Sequence, residues 1–254
     1  MIASLPMYDW PEVREATDAW WAGIARHLGT HAAFRRGGDH ASHWQNRDLL
    51  FSQTCGYPFT HEFHGKLKLV VTPHYGVDGC RGPNYRSMVF ARENRPLDSF
   101  RGATAAVNNP DSMSGMLALQ LVFGPHAKNG RFFGHAAETG GHIASMIAVR
   151  DGQADVCAID SVCTAMAKAY RPDYLKGLVE IARSPEVPGL PYVTVGGDVA
   201  KLRQALVTAF ADSGLREARD RLFLTGHSLL NEKDYARIPE LETEMRQKGG
   251  LKLL

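Results

Sequence analysis

Apolar and polar positions follow two rhythms along this chain. Residues 11–28 carry Trp20, Trp21, Ile24 and Leu28 at helical spacing, after a proline suited to a first turn and before Gly29, a fitting cap. Shorter stretches read as strands: 5–7, 49–53, and 66–72, which alternates and then turns wholly apolar. The turn Thr54-Cys55-Gly56-Tyr57-Pro58 closes the second of these, and a glycine-rich loop over 74–83 follows the third. Residues 35–48 are polar and predict a loop or short helix, and 85–91 predicts another strand.

The middle of the chain repeats one unit three times. Strands at 103–107, 132–137 and 156–159 each lead through a short loop into a helix, at 115–123, 142–149 and 162–170. This alternation predicts an α/β fold with a parallel sheet and helices on its faces. A strand at 178–182, a proline-rich connector, an extended segment at 192–195 and an amphipathic helix at 199–211 follow. The organisation predicted is two lobes: residues 1–91 with 192–254 form a discontinuous first lobe, 97–185 form the second, and 92–96 and 186–191 connect them.

Composition narrows the function classes. The 254 residues carry a formal charge of only +2, so no bulk field favours nucleic acid. No apolar run approaches the ~20 residues that span a bilayer, so no membrane insertion is expected. Cys55, Cys80, Cys157 and Cys163 contain no CxxC spacing, which argues against a disulfide scaffold and against zinc. His40/His43 and His61/His64 form HxxH pairs and lack the i, i+4 spacing of a helical metal site, so neither a metal nor a cofactor is expected. The first residues show no basic segment followed by an apolar one, which predicts a cytoplasmic protein, or a periplasmic one if the true start lies upstream.

The candidate chemistry lies in the three strand-to-helix loops. Asn108-Asn109-Pro110-Asp111-Ser112-Met113-Ser114-Gly115, Glu138-Thr139-Gly140-Gly141-His142 and Asp160-Ser161 each open a helix. Helix starts offer unpaired N–H groups and partial positive charge, and small residues let an anion approach them closely. Taken singly, Asp111, Ser112, Ser114 and Thr139 read as helix caps. Three such loops at the carboxyl ends of one sheet's strands point to a ligand site. His142, just behind two glycines, can add a ring N–H.

The run Ser112-Met113-Ser114-Gly115 resembles the S-x-S-G helix start of the PhnD-like phosphate/phosphonate-binding proteins of ABC transporters. Thr139-Gly140-Gly141-His142, followed by Asp151-Gly152-Gln153-Ala154-Asp155-Val156, resembles that family's S/T-G-x-H…G-x-A-D segment, and Leu190-Pro191-Tyr192 its return segment. The resemblance covers residues 45–195. It implies a type II periplasmic-binding-protein fold, with two lobes closing on a small oxyanion: phosphate, phosphite or an organophosphonate. It implies ligand contacts from Ser112, the Met113 N–H, Ser114, Gly115 and His142. Tyr57, Tyr85 and Ser87 stand where the family places further contacts, and Asp160 where an acid can meet a ligand amine, with Glu138 as a second candidate. Met113 occupies a position where phosphonate binders often carry a hydroxyl.

A monomer with an ABC-transporter permease as partner, and no catalysis, follows from the resemblance. Two other readings compete. One is an enzyme on the same fold, with Cys55 as nucleophile near His61, His64 and His74. The other is a cytoplasmic sensor that passes ligand occupancy to a partner. In an exported protein Cys55 and Cys80 could pair.

Overall fold

The computed structural model describes residues 1–252. The chain divides into two compact units. The first comprises residues 1–76, 81–84 and 188–235; the second comprises, among the described residues, 77–80, 85–187 and 236–252.

The first unit is built on a mixed six-stranded sheet. Its order is Leu224–Ser228, Lys68–Tyr75, Tyr192–Thr194, Leu49–Gln53, Ile2–Ala3, Ala33–Phe34. Ile2–Ala3 runs parallel to both neighbours. Tyr192–Thr194, the return segment, lies antiparallel between Leu49–Gln53 and Lys68–Tyr75, so residues far apart in sequence close the centre of this sheet. The helix Arg14–Leu28 ends on Gly29, whose left-handed backbone (φ 67°) suits a residue without Cβ. Its Trp20 is fully buried, packs edge-on against Phe210 of the helix Val199–Ala211, and donates its indole N–H to Tyr192 Oη at 3.1 Å. Trp21 stacks on Phe51 with centroids 5.6 Å apart. The first strand is Ile2–Ala3, earlier than the 5–7 expected; the short apolar run there does not mark its own register.

The second unit holds a five-stranded sheet in the order Val179–Arg183, Ser87–Ala91, Val156–Asp160, Thr104–Val107, His135–Glu138. The last three are parallel to one another, as the repeat predicts. Ser87–Ala91 runs antiparallel to both its neighbours, so the sheet is mixed and not wholly parallel. Ser87–Ala91, read from sequence as part of the first lobe, therefore joins the second unit. Its five residues are all buried, which fits a strand with partners on both sides, but such a run does not say which sheet it enters. The C-terminal helix Arg237–Gln247 also belongs to this unit. Leu251 lies in its core beside Phe100, Phe123 and Phe132, and Gln120 donates its side-chain N–H to the Leu251 carbonyl at 2.8 Å. No helix among the described residues is long and apolar enough to cross a membrane.

Candidate functional site

Three parallel strands of the second unit bring their carboxyl ends to one edge. The pairing Val107↔Glu138 sets the exits of Thr104–Val107 and His135–Glu138 side by side, and Val156–Asp160 flanks Thr104–Val107 on its other side. The three loops singled out in the sequence leave from this edge.

Ser112 is extended (φ −93°, ψ 126°) and caps the helix that follows; its Oγ accepts the Gly115 N–H at 3.0 Å. The first turn, Met113–Leu117, is a wide π-type turn, with the Leu117 N–H reaching back to the Ser112 carbonyl at 3.0 Å, before regular α-helix over Ala118–Phe123. Gly115 has a steric reason to be glycine: a Cβ there would fall 1.7 Å from Asn108 Oδ1. Ser112 and Ser114 are almost wholly buried, and the Met113 side chain is packed into the core. Met113 therefore offers this turn its backbone N–H and not its side chain.

The second loop meets the first. His142 opens the helix His142–Arg150 behind Gly140, whose φ of +81° favours glycine. The loop is held by the Thr139 N–H on the Val107 carbonyl and the Gly140 N–H on the Asn108 carbonyl, both at 2.8 Å. Thr139 Oγ1 pairs with Ser145 Oγ at 2.6 Å, so Thr139 ties the loop to its helix. His142 Nε2 and Ser114 Oγ lie 2.8 Å apart, joining the two loops, while Ser114 Oγ is 3.5 Å from Ser112 Oγ. Burial pushes the His142 pKa down to about 4, against a smaller opposing effect of the Ala158 carbonyl, so the ring is neutral at pH 7. A positive ring at a helix N-terminus would also oppose the helix dipole.

The third loop carries Asp160. It is buried at the end of its strand and caps the helix Ser161–Tyr170, its Oδ1 accepting the N–H groups of Val162 (2.7 Å) and Cys163 (3.3 Å). Ser87 is paired directly across from Asp160, so both side chains stand on one face of the sheet. The Ser87 N–H donates to Ser184 Oγ at 2.9 Å, and Tyr85, two residues earlier, is buried in the same unit. Glu138 is exposed at the end of its strand.

Tyr57 and Cys55 belong to the first unit. Tyr57 lies in the short helix Gly56–Thr60 with its ring stacked on His61 at 3.9 Å. His61 Nδ1 faces the Tyr57 carbonyl at 2.9 Å, and His74 Nε2 faces Ser228 Oγ at 2.8 Å, so two of the three histidines considered as bases are engaged elsewhere. All four cysteines are free thiols. Burial, reinforced by Asp160 and Asp78, pushes the Cys80 pKa up to about 12, the opposite of thiolate activation. Among the described residues no cluster of three metal-ligating side chains exists.

Asn108 was not singled out from sequence, although its carbonyl and its side chain touch both loops; the signal available was its place as the first residue beyond a parallel strand.

The family profile of the ABC-transporter phosphonate periplasmic substrate-binding proteins matches residues 2–235. The chain belongs to this phosphonate-binding family of substrate-binding proteins. No curated protein sequence matches it. Among solved structures, it resembles a binding-protein component of an ABC phosphonate transporter from Pseudomonas aeruginosa: TM-score 0.79, 16% identity, 97% of this chain and 87% of that one. PhnD1 from Prochlorococcus marinus, in complex with methylphosphonate, gives a TM-score of 0.78 at 13% identity over 97% and 98% of the two chains. A Xanthomonas citri protein bound to ATP gives 0.70 at 19% identity over 97% of each chain. At these identities the structures show the shared periplasmic-binding-protein fold. The family is one of substrate-binding proteins of ABC transporters.

Proposed function

We propose that this phosphonate-family protein binds a small tetrahedral oxyanion, an organophosphonate, phosphate or phosphite, on the three-loop edge of its second unit. The observation that carries the reading is the Ser114–His142 contact, which joins two helix starts around two buried serines. Ser112 and Ser114 supply hydroxyls, and the N–H groups of Met113 and Ser114 supply backbone donors. The Gly115 N–H is taken by Ser112 Oγ, so Gly115 serves by its small size. The hydrogen bond between His142 Nε2 and Ser114 Oγ fixes the position of the Ser114 hydroxyl beside the anion. Helix N-termini then hold the charge without a lysine or arginine.

Asp160 reads the substituent. A protonated amine on the ligand meets its buried carboxylate, which also caps the following helix, with Ser87 paired directly across from it. The methylphosphonate complex of the Prochlorococcus neighbour supports the ligand class. The protein performs no chemistry on its ligand, acts as a monomer, and delivers it to an ABC-transporter permease.

Titration calorimetry with phosphate, phosphite, methylphosphonate and 2-aminoethylphosphonate tests the ligand class. Micromolar binding by at least one is expected, and binding by none overturns the oxyanion assignment. Asp160→Asn is expected to weaken 2-aminoethylphosphonate by about tenfold, the equivalent of ~1.4 kcal/mol, and methylphosphonate by much less. Equal loss for both ligands removes Asp160 from the role of amine reader.

A further inference from the structure

Asn108 joins the two loops of this site through two different atoms. Its carbonyl accepts the Gly140 N–H at 2.8 Å, in the turn that presents His142. Its side-chain amide packs directly on the Cα of Gly115, in the turn that presents Ser112 and Ser114: a Cβ on Gly115 would meet Oδ1 at 1.7 Å, Cγ at 2.6 Å and Nδ2 at 3.4 Å. The residue is 8% exposed, and its buried Oδ1 has no hydrogen-bond partner.

A buried amide oxygen without a donor is costly, and an apolar residue of similar size would avoid that cost. The position also demands glycine across from it, a second constraint on the same contact. Folding stability alone explains neither feature. Both fit a part whose task is to fix the distance between two turns.

We infer that Asn108 is a positioning residue of the anion site: its amide wedges against Gly115 while its carbonyl anchors Gly140, and together these set the Ser114–His142 separation. It need not touch the ligand. The backbone anchor survives any side-chain change, so the wedge is the component that substitution removes. Without it the Ser112–Gly115 turn settles toward strand Thr104–Val107, away from His142. The inference rests on the proposed anion site, and its test keeps the two apart.

The experiment compares wild type, Asn108→Ala and the milder Asn108→Ser. Ring ¹⁵N signals of His142 are recorded without ligand, and methylphosphonate affinity is measured by calorimetry, with melting temperature as the control for folding. The variants are expected to shift the His142 ring signals, reporting a changed contact with Ser114, and to weaken methylphosphonate binding about tenfold for Ala and less for Ser. Wild-type ring signals in a folded variant overturn the inference, and so does unchanged affinity. If Asn108→Ala does not fold, Asn108→Ser decides by the same two readouts. Wild type that binds no methylphosphonate counts against methylphosphonate as the ligand, and the ring signals still decide the role of Asn108.

Discussion

Ser114 sits where two arguments converge. Its hydroxyl is held by His142, and its backbone N–H belongs to a helix start. Ser114→Ala removes a hydrogen bond to a charged ligand, a loss of about 1.5–3 kcal/mol, so affinity for the bound oxyanion is expected to fall at least tenfold in calorimetry; it also leaves the buried His142 Nε2 without its partner, so the melting temperature is expected to fall as well. His142 gives a pH prediction. A free histidine titrates near 6.5, and in the folded protein burial holds His142 down at about 4. Between those values the unfolded chain takes up a proton that the folded chain refuses. Stability from this group is therefore full above pH 6.5 and is lost as pH falls toward 4. His74 and His227 are also shifted down by burial and act with the same sign. Melting curves from pH 7.5 to 4.5 should show a steady fall for wild type and a shallower one for His142→Gln; parallel curves would contradict the burial argument. Cys80, with its pKa pushed up to about 12, should alkylate slowly at pH 8, and rapid labelling would contradict the burial argument for this thiol.

At the scale of elements, the site depends on how helices begin. Gly115→Ala puts a Cβ into the Asn108 amide, and overpacking of this kind costs about 1–3 kcal/mol. The variant should melt earlier and bind more weakly, and a wild-type melting point would contradict the close packing there. The strands and helices of the middle block were legible because each strand is a short apolar run followed at once by small polar residues and a helical period. Ser112, Ser114, His142 and Asp160 were legible as helix openers for the same reason. Partner choice was not. Ser87–Ala91 has the composition of any buried strand, and its antiparallel place beside Val156–Asp160 depends on residues about seventy positions later. Asn108 was hidden because an asparagine after a strand is an ordinary loop residue until Gly115 is seen against it. Met113 departs from the hydroxyl pattern of the family, and its burial shows the physical sense of that change: the side chain serves the core, and only its N–H is left for the loop.

For the whole molecule, the chain is discontinuous in both units: the first takes back residues 188–235, and the second takes back residues from 236 onward. The Trp20–Tyr192 hydrogen bond shows the consequence in the first unit, where the return strand is tied to the first helix across 172 positions. Truncation before residue 188 should therefore leave both units unfolded by circular dichroism, since one loses its central strand and the other the helix Arg237–Gln247 with Leu251 of its core; a cooperatively melting fragment would contradict this. The formal charge of +2 adds no strong attraction for anions, so recognition falls to the local N–H groups and hydroxyls. The central claim is that these groups hold the oxyanion, and amide and ring ¹⁵N shift mapping during a methylphosphonate titration tests it most directly. The largest saturable shifts are predicted at Met113, Ser114, Gly115 and the His142 ring. Saturable binding that leaves these four signals unmoved would contradict the account.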